Sequence, residues 1–308
     1  MRSSRFATAP EQRLIVFVPE LEALLREALS VPPLIAAMQR LSGTIPLDPE
    51  CPQAVLATGR PLAAAALSRR LDCPEDCDGT WLRADPVDLV PDLAAVWIRA
   101  EARFEAGEWL PELQALFAEE GMVLEMAPSG RGYLRLEAVP ECRFTPPWAL
   151  AGESLDHCLP EGSDARRWRR LLNETQVLLH QLRRRADHPD AVPASLWFWG
   201  GGALPDLADV RPRVRRIVAD DPVLTGLAEW LGLPCSPPGA GGVTARAGDL
   251  FEWLPEPSET AERNLERLQV FLRPAWRQLR LGRLRSLEVA EWREAKAFTP
   301  GHAWRAWR

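Results

Sequence analysis

The sequence is poor in lysine, histidine and tyrosine, and it lacks a long apolar run. Its 308 residues include one lysine, Lys296, one tyrosine and four histidines. The nearest approach to a membrane-spanning segment, Leu62 to Leu67, falls far short of the roughly 20 apolar residues that such a helix requires. The apolar run Leu14 to Val18 is also short, and Pro19 and Glu20 end it, which predicts no signal peptide. We therefore expect a cytoplasmic protein that does not enter the membrane.

The cysteines do not complete a zinc site. Of the six cysteines, Cys73 and Cys77 are the pair spaced as half of such a site, and a structural zinc needs a second pair of ligands at comparable spacing. Because no export signal is predicted, the cysteines are expected to be free thiols in a reducing compartment. The sequence therefore predicts neither a bound metal nor a cofactor.

The charge is acidic overall and basic at the C-terminal end. A net charge of −6 disfavours nucleic-acid binding, since neutralising phosphates requires a surplus of Lys and Arg. Residues 261–308 nevertheless hold eleven Lys or Arg against five Glu, a local charge of +6 that leaves −12 for the first 260 residues. This segment either docks an acidic partner or neutralises the acidic remainder of the molecule, and charge alone leaves both interpretations open.

Alternating strand and helix patterns predict an α/β fold with a mixed sheet flanked by helices. Apolar residues make up 46% of the chain and charged residues 26%, as in globular proteins. We predict strands at Arg13 to Val18, Met122 to Met126, Gly132 to Leu136, Ser195 to Trp199, Val214 to Val218 and Leu250 to Leu254. We predict helices at Glu20 to Leu29, Pro33 to Leu41, Leu62 to Leu71, Glu108 to Phe117, 164 to 185, Val223 to Leu231 and Leu265 to Leu279.

The chain is predicted to comprise three segments. Residues 1–78 supply the N-terminal strand and helices of the core, 79–140 a strand–helix–strand–strand subdomain, and 161–308 a C-terminal α/β core with the basic segment. The proline-rich stretch between 140 and 160 is the predicted connection. We also expect a loop from Ser42 to Pro52, and a helix that Pro274 kinks or divides.

A strand that runs into three glycines is the sharpest local feature. Gly200, Gly201 and Gly202 follow the apolar residues Trp197 to Trp199. Glycine lets backbone amides approach a ligand closely, as in sites for phosphates and other anions. The sequence lacks Gly-Lys-Ser/Thr here, so it is not a nucleotide P-loop. A tight turn that carries bulky side chains past a neighbour has the same sequence, and both interpretations stay open.

A polar ridge is predicted on the helix that precedes these glycines. Asn173, Gln176 and His180 are spaced by three and four residues, so their side chains project from one helical face. Such a ridge either lines a pocket near the glycines or forms a solvated helix edge.

Several segments resemble a known family. The stretches Leu172 to His180 and Ser195 to Pro205 resemble bacterial RpfE-type regulatory proteins, a family similar to the archaeal-type cofactor-independent phosphoglycerate mutases. Trp81 to Val87 and Tyr133 to Leu136 resemble two strands of those mutases, and Trp304 to Arg308 resembles the ending of the regulatory family. The resemblance implies a degenerate form of the alkaline-phosphatase fold.

The sequence departs from the mutases at their metal site. The resemblance places Arg83 and Asp85 near the substrate, and it implies two divalent metals held by Asp and His together with a Ser nucleophile. Here Pro19 and Glu20 follow the first strand where the family has Asp-Gly, and His302 is the lone histidine of the C-terminal third. Four histidines without paired aspartates cannot rebuild that site, so we predict no catalytic residue and no metal ligand.

These features predict a catalytically silent regulatory protein that binds a small phosphorylated ligand or a protein partner. One alternative is a metal-dependent cofactor-independent phosphoglycerate mutase or phosphomonoester hydrolase with an unorthodox site. Another is an interaction protein that uses the basic C-terminal segment. The residues predicted to surround the ligand are Arg83, Asp85, Asn173, Gln176, His180, Gly200, Gly201 and Gly202.

Overall fold

The computed structural model describes residues 9–41, 43–91, 96–99, 104–150, 155–239 and 244–305. The chain divides into two compact units. Unit 1 combines the two ends of the chain, Met1–Pro61 and Leu207–Arg308, and unit 2 is the continuous stretch Leu62–Asp206. Unit 2 is thus inserted into the sequence of unit 1.

The secondary structure alternates between strands and helices in both units. The strands are β1 (Arg13–Phe17), β2 (Thr44–Pro46), β3 (Thr80–Pro91), β4 (Val96–Arg99), β5 (Val123–Met126), β6 (Gly132–Leu136), β7 (Cys142–Arg143), β8 (Glu161–Gly162), β9 (Ser195–Gly202), β10 (Arg216–Val218), β11 (Cys235–Ser236), β12 (Asp249–Glu252), β13 (Ser286–Ala290) and β14 (Glu294–Phe298). The α-helices are α1 (Leu21–Glu27), α2 (Pro33–Leu41), α3 (Pro52–Thr58), α4 (Ala64–Asp72), α5 (Trp109–Glu119), α6 (Ala165–Arg183), α7 (Pro222–Leu231), α8 (Ala261–Arg280) and α9 (Pro300–Arg305).

The sheet of unit 1 is mixed, in the order β11-β10-β12-β1-β13-β14-β2. Its first five strands are parallel, and β14 and β2 are antiparallel to their neighbours. All five residues of β1 are buried, as expected for an apolar, β-branched strand with a neighbour on each side. The sheet therefore forms around the first strand of the chain.

Helices cover both faces of this sheet. Helix α7 joins β10 to β11, and α8 joins β12 to β13 in the opposite direction along the sheet. Right-handed crossovers place these two helices on opposite faces. A hydrophobic core lies between the sheet and the layer formed by α1, α2, α8 and α9, and it includes Leu268, Leu272 and Trp276 of α8.

Unit 2 contains an antiparallel sheet in the order β4-β3-β6-β5, and β9 also pairs with β3. The first half of the long strand β3 pairs with β6, its middle pairs with β9, and its end pairs with β4. Helices α4 and α6 contact β9, and α5 contacts both β5 and α6. Strand β9, which ends in the three glycines, thus pairs with β3 and packs against α4 and α6.

The structure confirms most predicted elements, including β1, α5, the β5–β6 hairpin, α6, β9 and α7. It corrects the predicted loop Ser42 to Pro52, which contains β2 and ends at the start of α3. Pro274 does not divide α8, which is continuous because buried side chains on both sides of the proline pack against the core. The first predicted helix is shorter than Glu20 to Leu29, since α1 ends at Glu27.

The two units also differ from the predicted segments 1–78, 79–140 and 161–308. Helix α4 packs on β3 and β9 and therefore lies in unit 2. The described parts of the predicted connection between 140 and 160 also lie in unit 2. Residues 92–95 and 240–243 lie outside the described residues. Within the described part of the chain, no helix is both long and apolar enough to cross a membrane.

Candidate functional site

The carboxyl edge of the parallel strands is where open α/β sheets bind ligands, at the point where the chain reverses direction along the sheet. In unit 1 this point lies between β10 and β12, because α7 and α8 lead away from it in opposite directions. Asp220 and Asp221 follow β10, and Glu252 ends β12. Three carboxylates therefore lie at the edge where a ligand is expected.

Two of these carboxylates, those of Glu252 and Asp221, accept hydrogen bonds from backbone N–H groups. Oε2 of Glu252 accepts hydrogen bonds from the backbone N–H groups of Asp220 at 2.8 Å and Asp221 at 3.0 Å. Oδ1 of Asp221 caps α7 by accepting from the N–H groups of Val223 and Leu224. Burial, and then the charge of Asp221, raise the pKa of Glu252 to about 7. These acids hold the loop and the helix that follow β10.

The residues at this edge do not fit the two metals that the mutase resemblance implies. Pro19 and Glu20 follow β1, and Glu252 is engaged by two amides. Across all the ranges that the structure describes, no three His, Cys, Asp or Glu side chains come together as a metal site requires.

Arg83 and Asp85 lie side by side on β3 and pair with each other. The guanidinium of Arg83 donates to Oδ1 of Asp85 at 2.6 Å and to Oγ of Ser68 at 3.2 Å. Asp85 also accepts from the indole N–H of Trp199 at 2.7 Å and from the backbone N–H of Gly132. The structure thus brings together these two predicted residues, both engaged in contacts within unit 2.

A larger network of hydrogen bonds and arginine–aromatic contacts surrounds this pair, and no sequence pattern predicted it. Asp72 accepts from Tyr133 Oη at 2.6 Å and from Arg131 Nε at 2.7 Å. Burial opposes the ionisation of Asp72, but these hydrogen bonds outweigh it, and the pKa of Asp72 lies below its ordinary value. The guanidinium of Arg69 lies 4.2 Å from the ring centroid of Trp81, and that of Arg83 lies 5.2 Å from Tyr133. Arginines and aromatic rings therefore form the interior between α4 and β3.

Two of the three glycines, Gly200 and Gly202, allow a close approach between β9 and the start of α4, and Gly201 lies against Leu82 of β3. Between the pairs Trp81–Gly202 and Arg83–Trp199, β9 has one residue more than β3, which is a β-bulge. A Cβ atom on Gly200, whose φ is +65°, would lie 2.9 Å from the Cβ of Ala64. The bulge and the helix together account for the glycines. Anion binding by their amides stays a prediction.

Asn173, Gln176 and His180 lie on α6, the helix that contacts β9. Asn173 and His180 are exposed, and Gln176 is half-buried. Their spacing gives them a common face, as predicted. None of the eight predicted site residues lines either of the two large cavities described below.

One cavity of about 390 Å³ lies in unit 1, between β13 and β14 and the helices α1, α2 and α8. Its walls are mostly apolar, and Glu22, Glu291 and Lys296 are among its polar residues. Nζ of Lys296 donates to Oε1 of Gln39 at 2.6 Å. Burial, and then the charges of Glu22 and Glu294, raise the pKa of Glu291 to about 7.

A second cavity, which we call the arginine groove, has a volume of about 710 Å³ and is lined by α2, α8, α9 and the residue after α8. Its charged residues are all arginines of α8. The indole of Trp304 is 60% exposed, and the guanidinium of Arg280 lies 5.0 Å from its ring centroid. The lining residues are Pro33, Leu34, Ala37, Gln269, Arg273, Trp276, Arg277, Arg280, Leu281 and Trp304. The groove therefore combines an apolar floor with positive charge.

Comparisons with known proteins give limited likenesses. No protein-family model matches the chain. It is 36% identical over 73 residues to a probable 2,3-bisphosphoglycerate-independent phosphoglycerate mutase of Geobacter sulfurreducens, a match that covers 22% of this chain and only 18% of that protein. The chain therefore spans less than a fifth of its curated relative.

Two solved structures are also similar to the chain. A cofactor-independent phosphoglycerate mutase from Thermoplasma acidophilum matches at 14% identity with a TM-score of 0.36, covering 94% of this chain and 90% of that chain. The PH0037 protein from Pyrococcus horikoshii matches at 12% identity and a TM-score of 0.37, covering 94% and 87%. The likeness to RpfE-type regulatory proteins gains no support from these comparisons. What the chain resembles is the cofactor-independent phosphoglycerate mutases, most directly over the 73 residues shared with the Geobacter protein.

Proposed function

We propose that this protein is a non-catalytic binding protein with a regulatory role, and that it holds an anionic ligand or partner in the arginine groove. The observation that carries the proposal is the chemistry of the carboxyl edge. Its acids, Glu252 and Asp221, accept backbone hydrogen bonds, and the described residues there include no set of metal donors. A mutase of this type depends on such donors, so binding without turnover is the function that these residues favour.

The charge of the groove supports an anionic ligand. Arg273, Arg277 and Arg280 line it, and no acidic side chain is among its lining residues. Guanidinium groups bind phosphate and carboxylate in bidentate geometry through charge-assisted hydrogen bonds. The groove volume also lies within the range of about 300–1,000 Å³ that is typical of ligand sites.

The test of the non-catalytic role is turnover by the purified full-length protein. We expect no conversion of 3-phosphoglycerate and no hydrolysis of p-nitrophenyl phosphate with Mn²⁺ or Zn²⁺ added. Metal-dependent turnover that scales with protein concentration would contradict the proposal. It would favour the alternative, a mutase or phosphomonoester hydrolase with an unorthodox site, to which the 36% identical segment points.

The place of binding is tested by thermal shift with inorganic phosphate and with 3-phosphoglycerate. We expect Arg273→Ala/Arg277→Ala to abolish a ligand-induced shift, while Arg211→Ala, which removes an exposed arginine outside the groove, leaves it unchanged. If Asn173→Ala/His180→Ala abolishes the shift instead, the ligand binds at the predicted residues of unit 2.

A further inference from the structure

The exposed side of α8 combines arginines with large apolar side chains. Val270, Arg273, Arg277 and Leu281 follow one another at spacings of three and four residues, which places them on one face of the helix. Val270 is 61% exposed and Leu281 is 58% exposed. The opposite face of α8 is buried in the core, so this second, partly apolar face is the one that α8 leaves exposed.

Neighbouring helices extend this face into the arginine groove. Pro33, Leu34 and Ala37 of α2 contribute apolar walls, and Trp304 of α9 stands beside Arg280. Gln269 ties α8 to α2, since its Oε1 accepts from the N–H of Leu34 at 3.0 Å. The groove is therefore fixed by contacts between the helices that form it.

The arginines are distributed along the groove. Residues 273 to 280 span about two helical turns, or roughly 10 Å at 1.5 Å per residue. Charges spaced along an apolar floor complement a partner with acids at matching intervals beside an apolar stripe. An amphipathic helix has this pattern, with apolar anchors at i, i+3 or i+4 and i+7. A single phosphate, in contrast, is held by donors that converge on one point.

We propose that the arginine groove is the docking site for an acidic amphipathic helix of a partner protein. The inference rests on the proposed function, because it names the partner for the same groove. The partner's apolar anchors lie on Pro33, Leu34 and Leu281, and its Glu or Asp side chains pair with Arg273 and Arg277. Trp304 covers one side of the bound helix, as exposed aromatic residues do at interfaces.

The experiment measures fluorescence anisotropy of a labelled, capped synthetic helix of four turns added to the full-length protein. The probe carries Leu along one stripe and Glu on both flanks. Two control peptides keep its length: one has Gln in place of Glu, and one has the same composition in scrambled order. We expect the acidic helix to bind at least tenfold more tightly than either control, and its affinity to fall as salt is raised.

Variants of the protein assign the binding to the groove. Arg273→Glu/Arg277→Glu should weaken binding of the acidic helix at least tenfold and favour a Lys-flanked version of the peptide. Trp304→Ala should weaken binding by a similar factor without loss of fold, since the side chain is largely exposed. Arg211→Glu, which changes charge outside the groove, should leave the affinity within twofold.

The inference is overturned if the acidic helix fails to bind or binds no more tightly than the scrambled peptide. It is also overturned if the acidic helix keeps its affinity for the Arg273→Glu/Arg277→Glu variant. Displacement of the helix by low concentrations of inorganic phosphate, with no dependence on the Leu stripe, also overturns it and leaves a small-anion site. These outcomes are separate from the turnover assay, whose positive result would contradict the non-catalytic role without changing the peptide affinities.

Discussion

At the scale of single residues, Glu252 is the carboxylate with the clearest consequence for stability. It is 4% exposed, and its carboxylate is fixed by two backbone amides at the carboxyl edge of the unit 1 sheet. Its pKa of about 7 lies well above the ordinary glutamate value of 4.5. The folded protein therefore holds a proton over a pH range in which the unfolded chain has released it.

Glu252→Gln should reduce the pH dependence of stability. Between pH 4.5 and 7, the raised pKa makes the free energy of unfolding fall as pH rises, by up to about 1.4 kcal/mol per pH unit for one group. Glutamine keeps an acceptor for both amides and does not titrate. Urea unfolding at pH 5, 6 and 7 should give a flatter profile for the variant than for the wild type.

The matched control for this measurement is Glu259→Gln, which replaces an exposed carboxylate. Glu291 shifts in the same direction as Glu252, so the difference between variant and wild type is the quantity to compare. Parallel profiles for Glu252→Gln and the wild type would show that Glu252 does not bind a proton in this range.

Gln53→Leu should stabilise the protein. Gln53 of α3 is fully buried, and neither polar atom of its side chain has a hydrogen-bond partner among the described residues. An unsatisfied buried amide costs about 1–3 kcal/mol, and leucine has a similar size. Chemical denaturation should show a gain of about 1 kcal/mol or more.

Gln269→Leu is the matched control, because Gln269 is also buried in a helix but accepts a hydrogen bond from Leu34. This change should destabilise the protein, since it leaves the N–H of Leu34 without that partner. Equal effects of the two substitutions would mean that Gln53 has a partner in solution.

The sequence predicts single residues well only where their role is local. The common face of Asn173 and His180 follows from helical spacing, and the structure keeps it. The network of Asp72, Arg131 and Tyr133 joins residues that are 59 and 61 positions apart, so no local pattern reveals it. The arginine groove escaped prediction for the same reason, because it depends on how three helices pack.

At the scale of elements, the packing of α4 on β9 explains two of the three glycines. Gly200 and Gly202 both face the start of α4, where Ala63 and Ala64 bring only methyl groups. Small residues on both sides let the helix approach the strand closely. The sequence left two interpretations of the glycines open, an anion site and a tight turn. The structure adds a third, a β-bulge packed against a helix.

Gly200→Ala should destabilise the protein more than Gly232→Ala. Both glycines have a φ of +65°, so both substitutions bear the cost of a left-handed conformation, about 1–2 kcal/mol. Gly200→Ala also places a methyl group 2.9 Å from Ala64, whereas Gly232 has no atom within 4 Å of such a group. Thermal or urea unfolding should show a further loss of about 1–3 kcal/mol for Gly200→Ala. Equal losses would show that α4 moves away at little cost.

Helices and strands with a strong apolar period were predicted from the sequence, and those with a weak period were missed. The apolar stripes of α5 and α6 and the turn between β5 and β6 are local signals, and the structure confirms them. Helix α3 was missed because its seven residues are nearly all buried and so show no amphipathic period. The prediction that Pro274 divides its helix was wrong, since the proline lies on the exposed side of a continuous α8.

At the scale of the whole molecule, the division into two units makes a prediction about fragments. Unit 2 is one continuous stretch, and its sheet, its helices α4, α5 and α6, and the Asp72 network all lie within Leu62–Asp206. A protein consisting of residues 62–206 should therefore fold alone, with a cooperative thermal transition and near-ultraviolet circular dichroism. The separate stretch 207–308 should not, because its sheet lacks β1. A non-cooperative transition for 62–206 would contradict this division.

The position of β1 in the chain also determines how long this strand lacks its sheet neighbours during synthesis. The neighbours of β1 are β12 and β13, and β12 begins at Asp249, more than 200 residues after β1 ends. At about 5–20 residues per second, the ribosome needs roughly 10–50 s to supply that partner. Unit 2 emerges complete during this interval, while β1, four apolar residues after Arg13, has neither of its neighbours. The nascent chain therefore exposes an unpaired, largely apolar strand for most of its translation, a state that favours aggregation.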